Sequence, residues 1–337
     1  MKALNAGTQQ RGVALLTVLL LVAVMTLLMV AVLDDLRFGL RRSGNGEAMM
    51  QAQWYALGIE TIARQRLQAL AMRDPMRTTL EGGWNDQPIT FPLDDGAVSV
   101  RLRDRGGCFN LNSVVAGAPE QWQRNDDGVR QYIALLQVLG IAPQQAQALS
   151  DALVDWIDSD SQPGAQGAED DRYLQLAVPL RTGATLLSGI SELRAIAGYT
   201  PQVIAQLRPY LCALPEGRLS PININTLSLE DAPVLVALTE GALELPAARR
   251  VIAARPAGGW RDAKTFLSQP ALIQAEPSNA VLEQFALRTS YFSLYSQVDH
   301  AGAQVMLDAL LQQDPAGRVR LVARQWSSDE WVPPCCC

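Results

Sequence analysis

Histidine is almost missing from this chain: His300 is the one copy in 337 residues. A Ser-His-Asp apparatus, a Cys-His pair or a multi-histidine metal site would each have to be built on it, and no nucleophile motif lies nearby. His300 is therefore read as a surface or loop residue, and the chain as no enzyme. Basic charge is also short, with 28 Lys and Arg against 34 Asp and Glu and a net charge of −6. Phosphate contacts draw on a surplus of cations, so this balance argues against a general nucleic-acid or anionic-lipid binder. Cysteine is scarce, five in all, three of them the final residues. The tail Cys335-Cys336-Cys337 lacks spaced His or Cys partners and makes a poor zinc site.

What stands out instead is an unbroken uncharged run from Val13 to Leu33, VALLTVLLLVAVMTLLMVAVL. At about 1.5 Å per residue it is just long enough to cross a hydrocarbon core of about 30 Å. A short leader, MKALNAGTQQRG, precedes it with Lys2, Arg11 and no acid. A secretory signal has a shorter apolar core followed by small residues at a cleavage site. Here the glycine comes first, and no cleavage signature follows Ala23 or Ala31. Three readings stand: a signal anchor, an unusual signal peptide, or a leader cut before a retained helix. Lys2 and Arg11 on one side and Arg37, Arg41 and Arg42 on the other leave orientation open.

Beyond the span a helical pattern continues from Asp34 to about Met72. Ala48, Met49, Ala52, Tyr55, Ala56, Ile59, Ile62 and Ala63 recur at three- and four-residue spacings and predict one apolar face. Gly44-Asn45-Gly46 marks a bend or brief break, and Pro75 a stop. The sum is a rod of roughly 90 Å, whose apolar face a sheet would cover. Ile89-Thr90-Phe91 and Ala97 to Arg103 read as strands around the turn Asp94-Asp95-Gly96. Strand alternation returns at Tyr291 to Val298, Gln304 to Leu311 and Arg318 to Trp326, with an Ala- and Leu-rich helical stretch between. The fold class is α+β, a long N-terminal helix on an antiparallel sheet interrupted by a large, mainly α-helical insertion. Its parts are a leader (1–12), a membrane-spanning segment (13–33), an outer helix (34–75), a sheet (76–112 and 287–330), the insertion (113–286) and a tail (331–337).

Two features of the insertion invite chemistry. Cys108-Phe109-Asn110-Leu111-Asn112-Ser113 is echoed by Pro221-Ile222-Asn223-Ile224-Asn225-Thr226, each ending in an N-cap residue, which reads as paired entry turns to two helical halves. The second copy also resembles the opening of helix-hairpin-helix modules in DNA-uptake receptors. From Pro221 to Trp260, however, four acids face three bases, the wrong balance for DNA. The other feature is a run of six carboxylates, Asp155, Asp158, Asp160, Glu169, Asp170 and Asp171, broken by Pro and Gly. Such a loop is either solvated or neutralised, and hard oxygen ligands suit Ca²⁺. Asp158, Asp160, Gln162 and Glu169 fall at positions one, three, five and twelve of a calcium loop, but Pro163 takes the place of the turn glycine. A hydrolase using these acids would need a second motif to pair with them, and none is legible.

Gln10-Arg11-Gly12 before Val13-Ala14-Leu15-Leu16-Thr17 resembles the leader of prepilins. The resemblance implies cleavage after Gly12 by the prepilin peptidase and methylation of the new amine on Val13. Thr17 stands where most pilins carry Glu, a departure shared with the minor pseudopilin K family of type II secretion systems. Trp54-Tyr55-Ala56-Leu57-Gly58, Gly107 to Asn112, Asp155-Trp156-Ile157-Asp158 and Ile222 to Thr226 extend that resemblance over nearly the whole chain. It implies a pilin-like core and a single-pass inner-membrane protein with its body in the periplasm of a Gram-negative bacterium. Assembly with minor pseudopilins I and J at the pseudopilus tip, export of folded proteins, and bound calcium in the acidic segment are also implied. In an oxidising compartment Cys108 and Cys212 are either a disulfide or two buried thiols.

Overall fold

The computed structural model describes residues 9–326. The first eight residues of the leader and the Cys335-Cys337 tail lie outside them. Helix α1 (Gln9–Arg73) is continuous, so Gly44-Asn45-Gly46 does not break it. Nothing lies within 4 Å of the Cβ positions at Gly44 or Gly46, and the glycine penalty of about 1 kcal/mol each is met by the turns on either side. Its first part, from Val13, is apolar enough to cross a membrane, with a mean hydropathy of 3.0 over a window wholly unburied by the rest of the chain.

The outer part of α1 packs on a five-stranded sheet. The strands are β1 (Ile89–Leu93), β2 (Gly96–Asp104), β3 (Tyr291–His300), β4 (Ala303–Gln313) and β5 (Val319–Trp326), and every neighbouring pair is antiparallel in sequence order. Gly96 closes the β1–β2 turn; a Cβ there would lie 1.9 Å from the carbonyl oxygen of Asp299, so only glycine fits. Ala52, Ala56, Ala63 and Leu67 bury one stripe of α1 against Val98, Phe292, Leu294, Leu307 and Leu311, and Ala48 is buried as well. Met49 and Ile62, expected on that stripe, are 42% and 58% exposed. Three alanines let the helix sit close to the sheet, which narrows the contact stripe and leaves both larger residues on its flanks.

The sheet is left at Asp104 and rejoined at Tyr291, so the insertion covers 105–290 rather than the expected 113–286. The extra residues form its stem. Phe109-Asn110 pairs in parallel with Leu211-Cys212, and Ile222-Asn223 with Phe285-Ala286. The stem stands at the end of the sheet where α1 terminates, since Gln313 of β4 donates to the Leu67 carbonyl at 3.0 Å and Arg105 N–H to the Tyr291 carbonyl at 3.0 Å. The first half of the insertion carries α2 (Asp126–Val138), α3 (Pro143–Ile157), α4 (Asp170–Tyr173) and α5 (Pro201–Leu207). The second carries α6 (Ala232–Leu238) and α7 (Leu245–Ala253). One large core joins the halves, with Phe109, Tyr132, Leu153 and Leu235 fully buried in it.

The echoed motifs hold this core in matching ways. Asn112 brackets the distant chain by accepting from Leu187 N–H (2.8 Å) and donating to the carbonyls of Leu187 (2.9 Å) and Leu214 (2.7 Å). Asn225 does the same to Trp260, accepting from its N–H (2.6 Å) and donating to its carbonyl (3.1 Å). Asn110 and Asn223 each accept from the N–H two residues on, and Ser113 and Thr226 each donate back to the first Asn carbonyl. All four asparagines are buried, and their amides replace backbone partners the loops would otherwise lack. Beside the first copy, Cys108 and Cys212 form a disulfide with a Cα separation of 5.8 Å. It packs with Leu214 and Tyr291 on the outer face of the sheet.

Candidate functional site

Helix α3 organises the acidic segment. Pro143 opens it at a position where a missing N–H costs nothing, and its far end carries Asp151, Asp155 and Asp158 on one side. Asp151 is buried, held by Arg124 Nη1 at 3.0 Å and Gln147 Nε2 at 2.9 Å. Asp155 accepts from the N–H groups of Gly164 (3.0 Å) and Ala168 (2.7 Å). A Cβ on Gly167 would fall 1.7 Å from Asp155 Oδ2, so the loop wraps the carboxylate only because that residue is glycine. This wrapping returns Glu169 to the end of α3.

There Asp158, Asp160 and Glu169 offer oxygens all within 4.8 Å of one another. Asp158 Oδ1 and Glu169 Oε1 are buried and have no hydrogen-bond partner. Burial, and then the neighbouring carboxylates, push both Asp158 and Glu169 up to about 7. The α3 C-terminus adds its own negative end. Of the six expected ligands, these three converge. Asp155 shapes the loop; Asp170 accepts from Thr182 N–H at 2.9 Å and its hydroxyl at 3.1 Å; Asp171 is exposed. Asp151 and Arg124 escaped the sequence reading, although Asp151, Asp155 and Asp158 at i, i+4 and i+7 were a legible helical stripe.

The segment resembling a DNA-binding hairpin is α6, a turn and α7. Its amides are already engaged: Gly241 N–H donates to Val236, Ala242 to Thr239, and Leu243 to the Thr239 hydroxyl. Glu240 pairs with Arg130 at 2.9 Å. The turn therefore presents a carboxylate where a phosphate-binding hairpin presents free N–H groups.

Family models described as "Type II secretion system (T2SS), protein K" match residues 107–216 and 222–288. Those are the two halves of the insertion, split at the echoed motif. A type II secretion system protein K from Pectobacterium carotovorum subsp. carotovorum is 33% identical, covering 97% of this chain and 99% of the relative. This chain belongs to the type II secretion system protein K family. The Klebsiella pneumoniae member is 35% identical over 96% of this chain and 98% of its own. A chain in the crystal structure of the GspK-GspI-GspJ complex from enterotoxigenic Escherichia coli superposes with a TM-score of 0.73 at 30% identity. It covers 86% of this chain and 100% of its own length. Protein K family membership makes this a minor pseudopilin of a protein-transport system, and α1 is consistent with its membrane anchor.

Proposed function

We propose that this protein K sits at the tip of a type II secretion pseudopilus, beside pseudopilins I and J, and initiates or caps assembly so that folded proteins cross the outer membrane. The observation that carries the reading is the position of the insertion. It leaves the sheet at the end remote from the apolar half of α1, where its bulk blocks a further subunit above while leaving the membrane-proximal side free. Thr17 supports the same reading. Its hydroxyl donates to the Ala14 carbonyl at 2.9 Å, so it offers no charge to a neighbour's N-terminus. Anchorage in the inner membrane, a periplasmic body, cleavage between Gly12 and Val13 by the prepilin peptidase, and methylation of Val13 belong to the proposal. The role is structural rather than enzymatic.

The acidic site fits a hard divalent cation. Asp158, Asp160 and Glu169 would hold Ca²⁺, which supplies the positive charge that two buried, unpartnered carboxylate oxygens call for. Asp155 and Asp151 would keep the loop closed around it. The complex from enterotoxigenic Escherichia coli supports I and J as the neighbours. A strain lacking the protein tests the assignment. It should assemble few pseudopili and retain its exported proteins in the periplasm, with both defects repaired by the intact gene. Normal pseudopilus number and normal export in that strain would contradict it.

A further inference from the structure

A cavity of about 580 Å³ opens where the sheet meets both halves of the insertion, and it shares no residue with the acidic segment. Its walls carry Asn85 and Gln87 before β1, Arg103 on β2, Tyr210 after α5, and Glu230 and Asp231 before α6. The size is that of a small-molecule site, roughly 300–1,000 Å³, but the wall is mostly polar. Two of its polar groups are already engaged. Arg105 donates to Ser293 and Tyr295, and Asp104 accepts from Gly106 and Thr289. Others are left uncommitted by the fold. Arg103 and Tyr210 are half-buried, and neither side chain makes a hydrogen bond among the described residues. Asn85 Oδ1 accepts from Asp104 N–H at 2.8 Å, which leaves its amide nitrogen. Asp231 Oδ2 accepts from the N–H and the hydroxyl of Ser228, each at 2.8 Å, which leaves Oδ1. Asp86 Oδ1, buried 3.5 Å from Arg101 Nη1, has no hydrogen bond. A Cβ on Gly107 would lie 3.2 Å from Asp231 Oδ2, so glycine keeps that corner open.

We infer that this cavity binds a neutral carbohydrate, a short oligosaccharide whose hydroxyls fill the uncommitted positions. Charge and shape exclude the alternatives. Asp86, Glu230 and Asp231 on the wall repel an anion. Arg103 repels a lone cation, and a metal ion or simple amine would fill only a corner of the space. An apolar ligand would strand the guanidinium and the carboxylates away from water. A peptide pairs with an open strand edge or seats its side chains in apolar pockets. Here the edge of β2 is already capped, with Asp86 N–H donating to the Leu102 carbonyl at 2.8 Å and Asn85 accepting from Asp104. A sugar hydroxyl both donates and accepts, so one ring can bridge a guanidinium and a carboxylate together. The half-buried ring of Tyr210 gives it a flat apolar face.

Isothermal titration of the full-length chain, in a detergent without a sugar headgroup, tests the assignment. The probes are linear tetrasaccharides of glucose and of N-acetylglucosamine, with spermidine, inorganic phosphate and a short alanine peptide for comparison. At least one tetrasaccharide should bind saturably. A preference for the N-acetylglucosamine chain points to a cell-wall glycan, and for the glucose chain to a soluble polysaccharide. Arg103→Gln and Glu230→Gln should each weaken binding about tenfold, the effect of losing one hydrogen bond to a charged group. Both side chains reach solvent, so the melting temperatures should stay put. Arg172→Gln, exposed on α4, should leave binding unchanged. No saturable binding of either sugar, binding indifferent to both cavity substitutions, or tighter binding of spermidine, phosphate or the peptide would overturn the assignment. None of these results bears on the pseudopilus reading, which the deletion strain tests separately.

Discussion

Arg324 Nε donates to Glu60 Oε2 at 2.8 Å, and Nη2 of the same guanidinium lies 2.7 Å from that oxygen. Glu60 is a carboxylate on the alanine stripe of α1, with 4% of its side chain exposed, and Arg324 comes from β5, at the opposite end of the sequence. Arg64, one turn along α1, stands 3.9 Å away. The last strand is thus fixed to the helix by charge where the sheet's apolar cover thins. Glu60→Ala should lower stability by about 2–3 kcal/mol, less than a fully enclosed pair because Arg324 reaches solvent. Glu60→Met combined with Arg324→Met should recover most of it. Urea melts of the three proteins decide the point.

The acidic site makes a sharper forecast. Added Ca²⁺ should raise the melting temperature, and Asp158→Asn or Glu169→Gln should abolish the rise. Asp155→Asn should destabilise the protein with or without the ion, since Asp155 holds the N–H groups of Gly164 and Ala168. Terbium emission sensitised by Trp156, two residues from Asp158, reads occupancy directly. No melting shift and no sensitised emission would remove the cation from the account.

Without metal, pH should act on the same residues with a definite sign. The folded values of Asp158 and Glu169, about 7, stand above their ordinary 3.8 and 4.5. Between about pH 4 and 7 the unfolded chain has already released protons that the folded chain retains, so stability falls as pH rises through that window. Calcium should counter the loss above pH 7, and its benefit should fade as protons compete below about pH 6. Melting temperatures with chelator and with calcium, across that range, should diverge toward high pH. Parallel curves would count against the mechanism.

The disulfide and the asparagine clamps are separable. Cys108→Ser with Cys212→Ser should cost about 2–5 kcal/mol. Asn112→Ala strands the N–H and carbonyl groups of Leu187 and the carbonyl of Leu214, and Asn225→Ala those of Trp260; each should cost about 3 kcal/mol. Comparable losses from the two asparagines, measured by urea unfolding, would reflect the matched geometry of the two halves.

Much of the fold was legible because local chemistry and global packing agree. The Asp94-Asp95-Gly96 turn and the alternation in β3 to β5 needed no tertiary information. Met49 and Ile62 were misplaced because periodicity defines a stripe's centre, whereas its width depends on how closely Ala52 and Ala56 bring the sheet. The acidic segment was visible as a charge run, but its division of labour was not. Which carboxylates converge depends on Gly164 and Gly167 folding back onto Asp155, and that closure is a long-range matter for the sequence. The echoed asparagines were legible as a pattern, while their partners Leu187 and Trp260 lie too far along the chain to be named from it.

The central claim is a position: one subunit, at the end of the filament. A gold label on the inserted domain, imaged on pseudopili assembled in cells, tests it most directly. The account predicts a single label per filament, at the free end. Labels spaced along the shaft would contradict it.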